Sequence, residues 1–306
     1  MNFCKLFVRL DPSFGAAATF CFQCSQKEFQ KAKQDPKSNR STQRIFTLTT
    51  SSTMAPIDYE GMKILITGGG SGMGLEMAKS FAKDGATVII TGRHKDKLDE
   101  AAKQHENIVP YVCDVASDND MIKLRNAMEK EYNGIDFLIN NAGVLHMFDI
   151  KDASYDINKE FQEVNIDING VIRGVHYFLP MLLKKEKAMI MNVSSAIAYM
   201  PMADAPVYSA TKAFVHSYTQ SLRVKLKNDK NITVFELLPP MVDTPMTTDF
   251  TAEKTKGFTK MPVDEFVAAV RNGIDNGQEE ITPGDARMMY WMSRLVPTFL
   301  FNQING

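Results

Sequence analysis

The apolar run Lys63-Ile-Leu-Ile-Thr67 ends in Gly-Gly-Gly-Ser-Gly-Met-Gly74, and a helical pattern follows from Leu75 to Lys83. This order of strand, glycine turn and helix constrains the fold more than any other stretch of the chain. An uninterrupted apolar run marks a strand buried on both faces, as in parallel sheets covered by helices. Gly68, Gly72 and Gly74 allow a sharp bend, close backbone approach to a bound group and tight packing of helix on strand. The helix start adds unpaired N–H groups and about half a positive charge, a setting for phosphate. Gly85 ends the helix.

The alternation continues along the chain. Strands are expected at Thr87–Thr91, Ile108–Cys113, Asp136–Asn140, Ala188–Val193 and Ile232–Leu238, with a seventh at Glu280–Thr282. Helices are expected over Lys95–Gln104, from the Ser117 cap to Tyr132, over 157–183, over Val207–Lys227 and from Pro262 to Asn276. Single helices between strands require right-handed crossovers and hence a parallel sheet. The expected fold class is α/β, a single doubly wound (Rossmann) parallel seven-stranded sheet with helices on both faces. It spans residues 56–306, after an extension over 1–55. The methionine-rich and aromatic C-terminal segment 285–306 is expected near a substrate pocket or at a subunit contact.

Three Tyr-x-x-x-Lys strings occur: Tyr59 with Lys63, Tyr155 with Lys159, and Tyr208 with Lys212. A spacing of four aligns two side chains on one helix face, which any amphipathic helix offers. Context selects the third. Tyr208 follows a buried-strand pattern, then Ser194-Ser195, a loop and a helix start. An ammonium about 4–5 Å from a phenol, at an effective dielectric near 20, favours phenolate by roughly 3–4 kcal/mol. That would lower the phenol pKa by about 2–3 units, so Tyr208 reads as an acid/base tuned by Lys212. Ser195 reads as a hydrogen-bond donor to a developing oxyanion, and Ser194 as structural.

The spacing Gly-x-x-x-Gly-x-Gly, with Asn140-Asn-Ala-Gly143, Ser195, Tyr208 and Lys212, resembles the short-chain dehydrogenase/reductase family over about residues 60 to 250. Leu238-Pro-Pro-Met-Val-Asp-Thr-Pro245 looks like the DltE-like oxidoreductases within it. The resemblance implies a nicotinamide dinucleotide held by Thr67, Gly68, Gly72, Met73 and Gly74. Asp114 and Val115 would meet the adenine, and Asn141, Ala142 and Gly143 its ribose. Tyr208 and Lys212 would lie at the nicotinamide ribose, and Thr244 at the carboxamide. Where the family has Pro-Gly before that last segment, this chain has Pro239-Pro240, and proline takes no positive φ. Aligning on Gly170 and Leu179-Pro180 puts Asp167 where the family's catalytic asparagine holds a water in the proton path. Asp167 would do this through its backbone carbonyl, and Lys212 would compensate its charge. Asn165 and Asn169 then point away.

Strand two ends in Gly92-Arg93-His94 rather than in an acid. Arginine presents a planar fork of donors to phosphate. NADP(H) is therefore the preferred cofactor and NAD(H) the second possibility. The expected reaction is reduction of a ketone or aldehyde, or the reverse alcohol oxidation. Its substrate is small and hydrophobic, in a pocket of Val144, Leu145, Ala196 to Met200, Met202, Met241 and Met246. The alternative is a catalytically weak NADP(H)-binding regulator of the same fold. A serine hydrolase is disfavoured because no Gly-x-Ser-x-Gly elbow is present.

Net charge is -1, with 35 basic and 36 acidic residues, which gives no general attraction to nucleic acid. No apolar run has the roughly twenty residues of a membrane helix. No His, Cys or carboxylate grouping has metal spacing, so no metal is expected. Cys113 is alone in the core region, which suits a reducing compartment. Cys21 and Cys24 have redox or zinc spacing without a second ligand pair. Residues 1–53 hold eight Lys/Arg against three Asp/Glu and are rich in Ser and Thr. They read as a disordered extension, as a mitochondrial transit peptide, or as sequence upstream of a true start at Met54. The expected location is cytoplasmic, or mitochondrial if this is a transit peptide. Homodimers or homotetramers through the helices near 160–183 and 207–227 are expected from the family.

Overall fold

In the computed structural model, which describes residues 57–248 and 259–306, each apolar run is a strand. The strands are β1 (Lys63–Thr67), β2 (Thr87–Gly92), β3 (Ile108–Val112), β4 (Phe137–Asn140), β5 (Ala188–Val193), β6 (Ile232–Leu237) and the short β7 (Glu280–Ile281). They form one parallel sheet in the order β3-β2-β1-β4-β5-β6-β7. The order reverses between β1 and β4, where doubly wound sheets open a crevice at the strands' carboxyl ends. Pro110 lies in β3, an edge strand, where a missing N–H is tolerated.

Side-chain alternation divides the apolar residues between two cores. Ile64, Ile66, Val88, Ile90, Phe137 and Ile139 pack on one face with Met77, Phe81, Leu98 and Phe266. Leu65, Ile89, Leu138 and Ile190 pack on the other with Met121, Leu124, Phe178 and Leu222. The first face is covered by α1 (Gly72–Lys83), α2 (Lys95–Ala102) and α7 (Val263–Asp275). The second is covered by α3 (Asp118–Tyr132), α5 (Gly170–Leu182) and α6 (Pro206–Lys225). The Ser117 hydroxyl accepts the Asp120 N–H at 3.3 Å and caps α3.

One expectation is corrected. The helix expected over 157–183 is broken into α4 (Ile157–Glu163), a π-helical turn (Val164–Asn169) and α5. The C-terminal segment forms α8 (Ala286–Leu295) and α9 (Pro297–Asn305). Met288, Leu295, Val296, Phe299 and Phe301 are exposed there, whereas Leu300 is buried. The readings of residues 1–53, including Cys21, Cys24 and Met54, lie outside the described residues. Among the described residues no helix is long and apolar enough to cross a membrane.

Candidate active site

A cleft opens where the strand order reverses. Of the residues expected at the cofactor, Gly68, Gly72, Met73, Gly74, Arg93, Asp114, Val115, Asn141, Ala142, Gly143 and Thr244 all line it. The glycine turn has no room for side chains. At Gly68, whose φ is +66°, a Cβ would lie 2.8 Å from the Ala142 Cα, and at Gly74 it would lie 2.5 Å from the Gly68 carbonyl oxygen. The first turn of α1 carries no acidic residue and leaves its N–H groups for a ligand. Arg93, His94 and Lys97 form a basic rim, and neither Arg93 nor Lys97 is in an ion pair among the described residues. These features fit a phosphate-bearing group.

Thr67 differs from its expected place. It is buried below the cleft, where its hydroxyl accepts the N–H groups of Asn141 and Ala142, both at 3.0 Å. It ties the end of β1 to the loop after β4 instead of lining the cavity. Asp114 lines the cleft and its Oδ1 also accepts the Ala116 N–H at 3.0 Å, so it shapes its own turn.

A second cavity shares the walls Met73, Thr244 and Met246 with the first, so the two are contiguous. Ser195 and Tyr208 stand at its floor among Leu145, Ala196, Ile197, Met202 and Met241. Four expected pocket residues, Ala198 among them, do not line this cavity. Val144 lines the first cleft, Met200 is core, and Tyr199 sets its ring edge-on to His216 at 5.3 Å. Met289 and Ile304, from the C-terminal segment expected near a substrate pocket or a subunit contact, reach this cavity on α8 and α9.

Tyr208 and Lys212 lie one turn apart on α6. The Tyr208 side chain and Ser195 line the same cavity, and Lys212 Nζ is 5.3 Å from the phenol ring centroid. Lys212 is buried, donates to the Val193 carbonyl at 3.4 Å and lies 3.2 Å from Asp167 Oδ2. Neither Lys212 nor Asp167 lines either cavity in this structure. The π turn exposes Asn165, which accepts from Asn169 at 3.0 Å, and turns Asp167 inward. The Asp167 side chain thus acts directly, its Oδ1 accepting the Val144 N–H at 2.9 Å. Lys212 lies where the Asp167 charge needs compensation, and the two form a buried ion pair.

The electrostatics also correct an expectation. Burial pushes the Tyr208 phenol above its ordinary value, more than Lys212 and the Ser195 hydrogen bond pull it down, and Asp167 adds to the rise. Spacing showed the ammonium but not the carboxylate that offsets it. Burial alone would depress the Lys212 ammonium, but Asp167 and then Tyr208 reverse this, and its pKa lies above the ordinary lysine value.

Three polar residues near the site carried no sequence signal. Glu163 is fully buried, accepts the His146 N–H and is pushed by burial to about 7. Glu236 is fully buried on β6, accepts from the Ser194 hydroxyl at 2.6 Å and meets His216 Nδ1 at 2.9 Å. Glu280 joins these two with ligand atoms within 4.8 Å of one another, a grouping invisible in sequence spacing. Hydrogen bonds from Ser194, His216 and Gln220 occupy that cluster. The other Tyr-x-x-x-Lys strings are apart from the cavities. Tyr59 is core beside Phe81, and Tyr155 packs on Phe148.

The family model for short chain dehydrogenases matches residues 62–255. The chain is 34% identical over 242 residues to the oxidoreductase DltE of Bacillus subtilis, covering 79% of this chain and 96% of that one. It is 32% identical over 221 residues to an oxidoreductase of Staphylococcus epidermidis, covering 71% and 94%. Among solved structures it resembles a short chain dehydrogenase of Burkholderia cenocepacia in complex with NADP, with TM-score 0.70 and 24% identity over 81% of this chain and 99% of that one. It also resembles the 3-ketoacyl-(acyl-carrier-protein) reductase of Brucella melitensis complexed with NADH, with TM-score 0.64 and 28% identity over 70% and 91%. With a glycine cleft contiguous with a Ser195–Tyr208–Lys212 cluster on this fold, the chain belongs to the short chain dehydrogenase family of oxidoreductases.

Proposed function

We propose that the protein reduces a hydrophobic ketone or aldehyde with NADPH, or oxidises the corresponding alcohol with NADP, using Tyr208 as acid/base. The observation carrying this reading is the Tyr208 hydroxyl. It stands with Ser195 on a largely apolar cavity that joins the glycine cleft, with the Lys212 ammonium beside its ring. Gly68, Gly72, Met73 and Gly74 would hold the pyrophosphate, Asp114 and Val115 the adenine, and Asn141 to Gly143 its ribose. Thr244, shared by both cavities, would meet the nicotinamide end. When bound, the reduced nicotinamide supplies a hydride.

Tyr208 then donates its proton to the carbonyl oxygen, and Ser195 donates a hydrogen bond to that oxygen. Lys212 stabilises the phenolate that remains. Tyr208→Phe is expected to lower kcat by about 10²–10⁴, measured as loss of NADPH absorbance with a panel of apolar carbonyls. Wild-type activity that survives this change would remove Tyr208 from the reaction.

Arg93 and Lys97, exposed on the rim and without ion-pair partners among the described residues, support NADPH over NADH. Arg93→Glu should reverse the preference, read as the ratio of kcat/KM with the two cofactors. A ratio that favours NADH in the wild type overturns this assignment. Exposed Ile157, Phe161, Ile172 and Val224 support self-association through α4, α5 and α6.

A further inference from the structure

Behind the ion pair of Lys212 and Asp167 lies a second titratable pair that the proposed chemistry does not use. Val144 and His146 are alternate residues of one segment after β4. Their N–H groups bond Asp167 and Glu163 respectively. The two carboxyls are near enough for Asp167 to raise the Glu163 carboxyl, a gap of the kind one water bridges. Both side chains are fully buried, while the His146 side chain is 26% exposed and places its Nδ1 3.2 Å from Glu163 Oε1. Asp167 Oδ2, Glu163 Oε2 and His146 Nδ1 are all buried without an aligned hydrogen bond. Three such atoms in one place are rare in folded proteins and mark a site that takes water or exchanges protons.

The geometry points to a side-chain proton path that runs from Lys212 through Asp167 to Glu163 and His146, and so to solvent. It rests on the reading of Tyr208 as acid/base. The buried cluster holds one ammonium and two carboxyls, so charge balance leaves one carboxyl protonated and able to pass its proton on. The charged groups facing it are Lys212 and Tyr208 of α6, and Lys159 and Glu160 of α4.

In reduction the Tyr208 O–H bond breaks as its proton joins the substrate oxygen. The Lys212 ammonium returns a proton to the phenolate. Asp167 relays one to the Lys212 amine, and Glu163 one to Asp167. The His146 ring takes a proton from solvent at one nitrogen and releases one to Glu163 at the other. One proton enters per hydride transferred, and no net charge stays in the core. Oxidation runs the same sequence backwards. Asp167, Glu163 and His146 are positioning and relay residues, since none of them lines the substrate cavity.

The test uses Glu163→Gln, whose amide oxygen can still accept the His146 N–H. With NADPH and an apolar ketone, kcat should fall about tenfold, with both KM values within about twofold and a larger solvent deuterium isotope effect. The limb of the pH–rate profile near neutrality should disappear. His146→Ala should show a similar loss that added imidazole restores. An unchanged kcat, isotope effect and pH profile in Glu163→Gln overturns the path while Tyr208→Phe still abolishes activity. Loss of activity equal in size at every pH, with no imidazole rescue, reveals a structural role and also overturns it. An infrared carboxyl band that titrates near pH 7 in the wild type and is absent in Glu163→Gln is expected without any substrate. Its absence from the wild type overturns the path even if the protein reduces no carbonyl tested.

Discussion

Glu163 shows how burial and pH combine at a single residue. Its carboxyl is raised from 4.5 to about 7. The folded state therefore holds this proton more tightly than the unfolded chain. Its contribution to stability is full below about pH 4.5 and is lost as pH rises to about 7. The loss is at most about 3 kcal/mol. Calorimetry of wild type and Glu163→Gln should show a Tm difference that moves against the wild type across this window. A constant difference would mean that the carboxyl ionises normally. Asp167 acts in the opposite sense on catalysis, because its charge raises the Tyr208 phenol. Asp167→Asn removes that charge and can keep the bond to the Val144 N–H. For reduction, the alkaline limb of the rate profile should move to lower pH, with activity within about tenfold at its new optimum. A limb that stays in place would show that Asp167 does not tune Tyr208.

At the scale of elements, the break between α4 and α5 decides which side chains face inward. A regular helix over 157–183 would carry Asp167 on the face set by 3.6 residues per turn. The π turn Val164–Asn169 shifts that phase, and such turns concentrate at functional sites. The α5–β4 contact is equally tight. A Cβ on Gly174 would lie 2.1 Å from Asn140 Oδ1, whose amide donates to Asn192 at 2.8 Å. Gly174→Ala should destabilise the fold by about 1–3 kcal/mol, seen as a lower denaturant midpoint. In the glycine turn, Gly74→Ala should raise the KM for NADPH more than it lowers Tm, since it disturbs the cradle where phosphate would sit. An unchanged KM would argue that the turn holds nothing.

For the molecule as a whole, the sheet brings its functional loops to one edge, and the two cavities join across Met73, Thr244 and Met246. Their walls come from the ends of β1 through β6 and from the C-terminal α8 and α9, which contribute Met289 and Ile304. Phe161 is 56% exposed on α4. If copies associate through this face, Phe161→Glu with Ile172→Glu should lower the mass measured by light scattering. The same mass for both forms would place self-association elsewhere.

The order of strands and helices could be read from sequence because burial on both faces of a parallel sheet demands continuous apolar runs, and β1, β2 and β5 meet it. Gly68 and Gly74 were legible because only glycine fits so close an approach, and Tyr208 and Lys212 because four residues make about one helical turn. What lay beyond the sequence depends on contacts between residues far apart in the chain. The π turn sets the inward face of the Asp167 side chain, and Glu163 meets His146 across a chain reversal. The phenol's proton affinity follows from the summed burial and charge around it. Local spacing reports which groups lie along one element, whereas desolvation and pairing are set only when separate elements pack together.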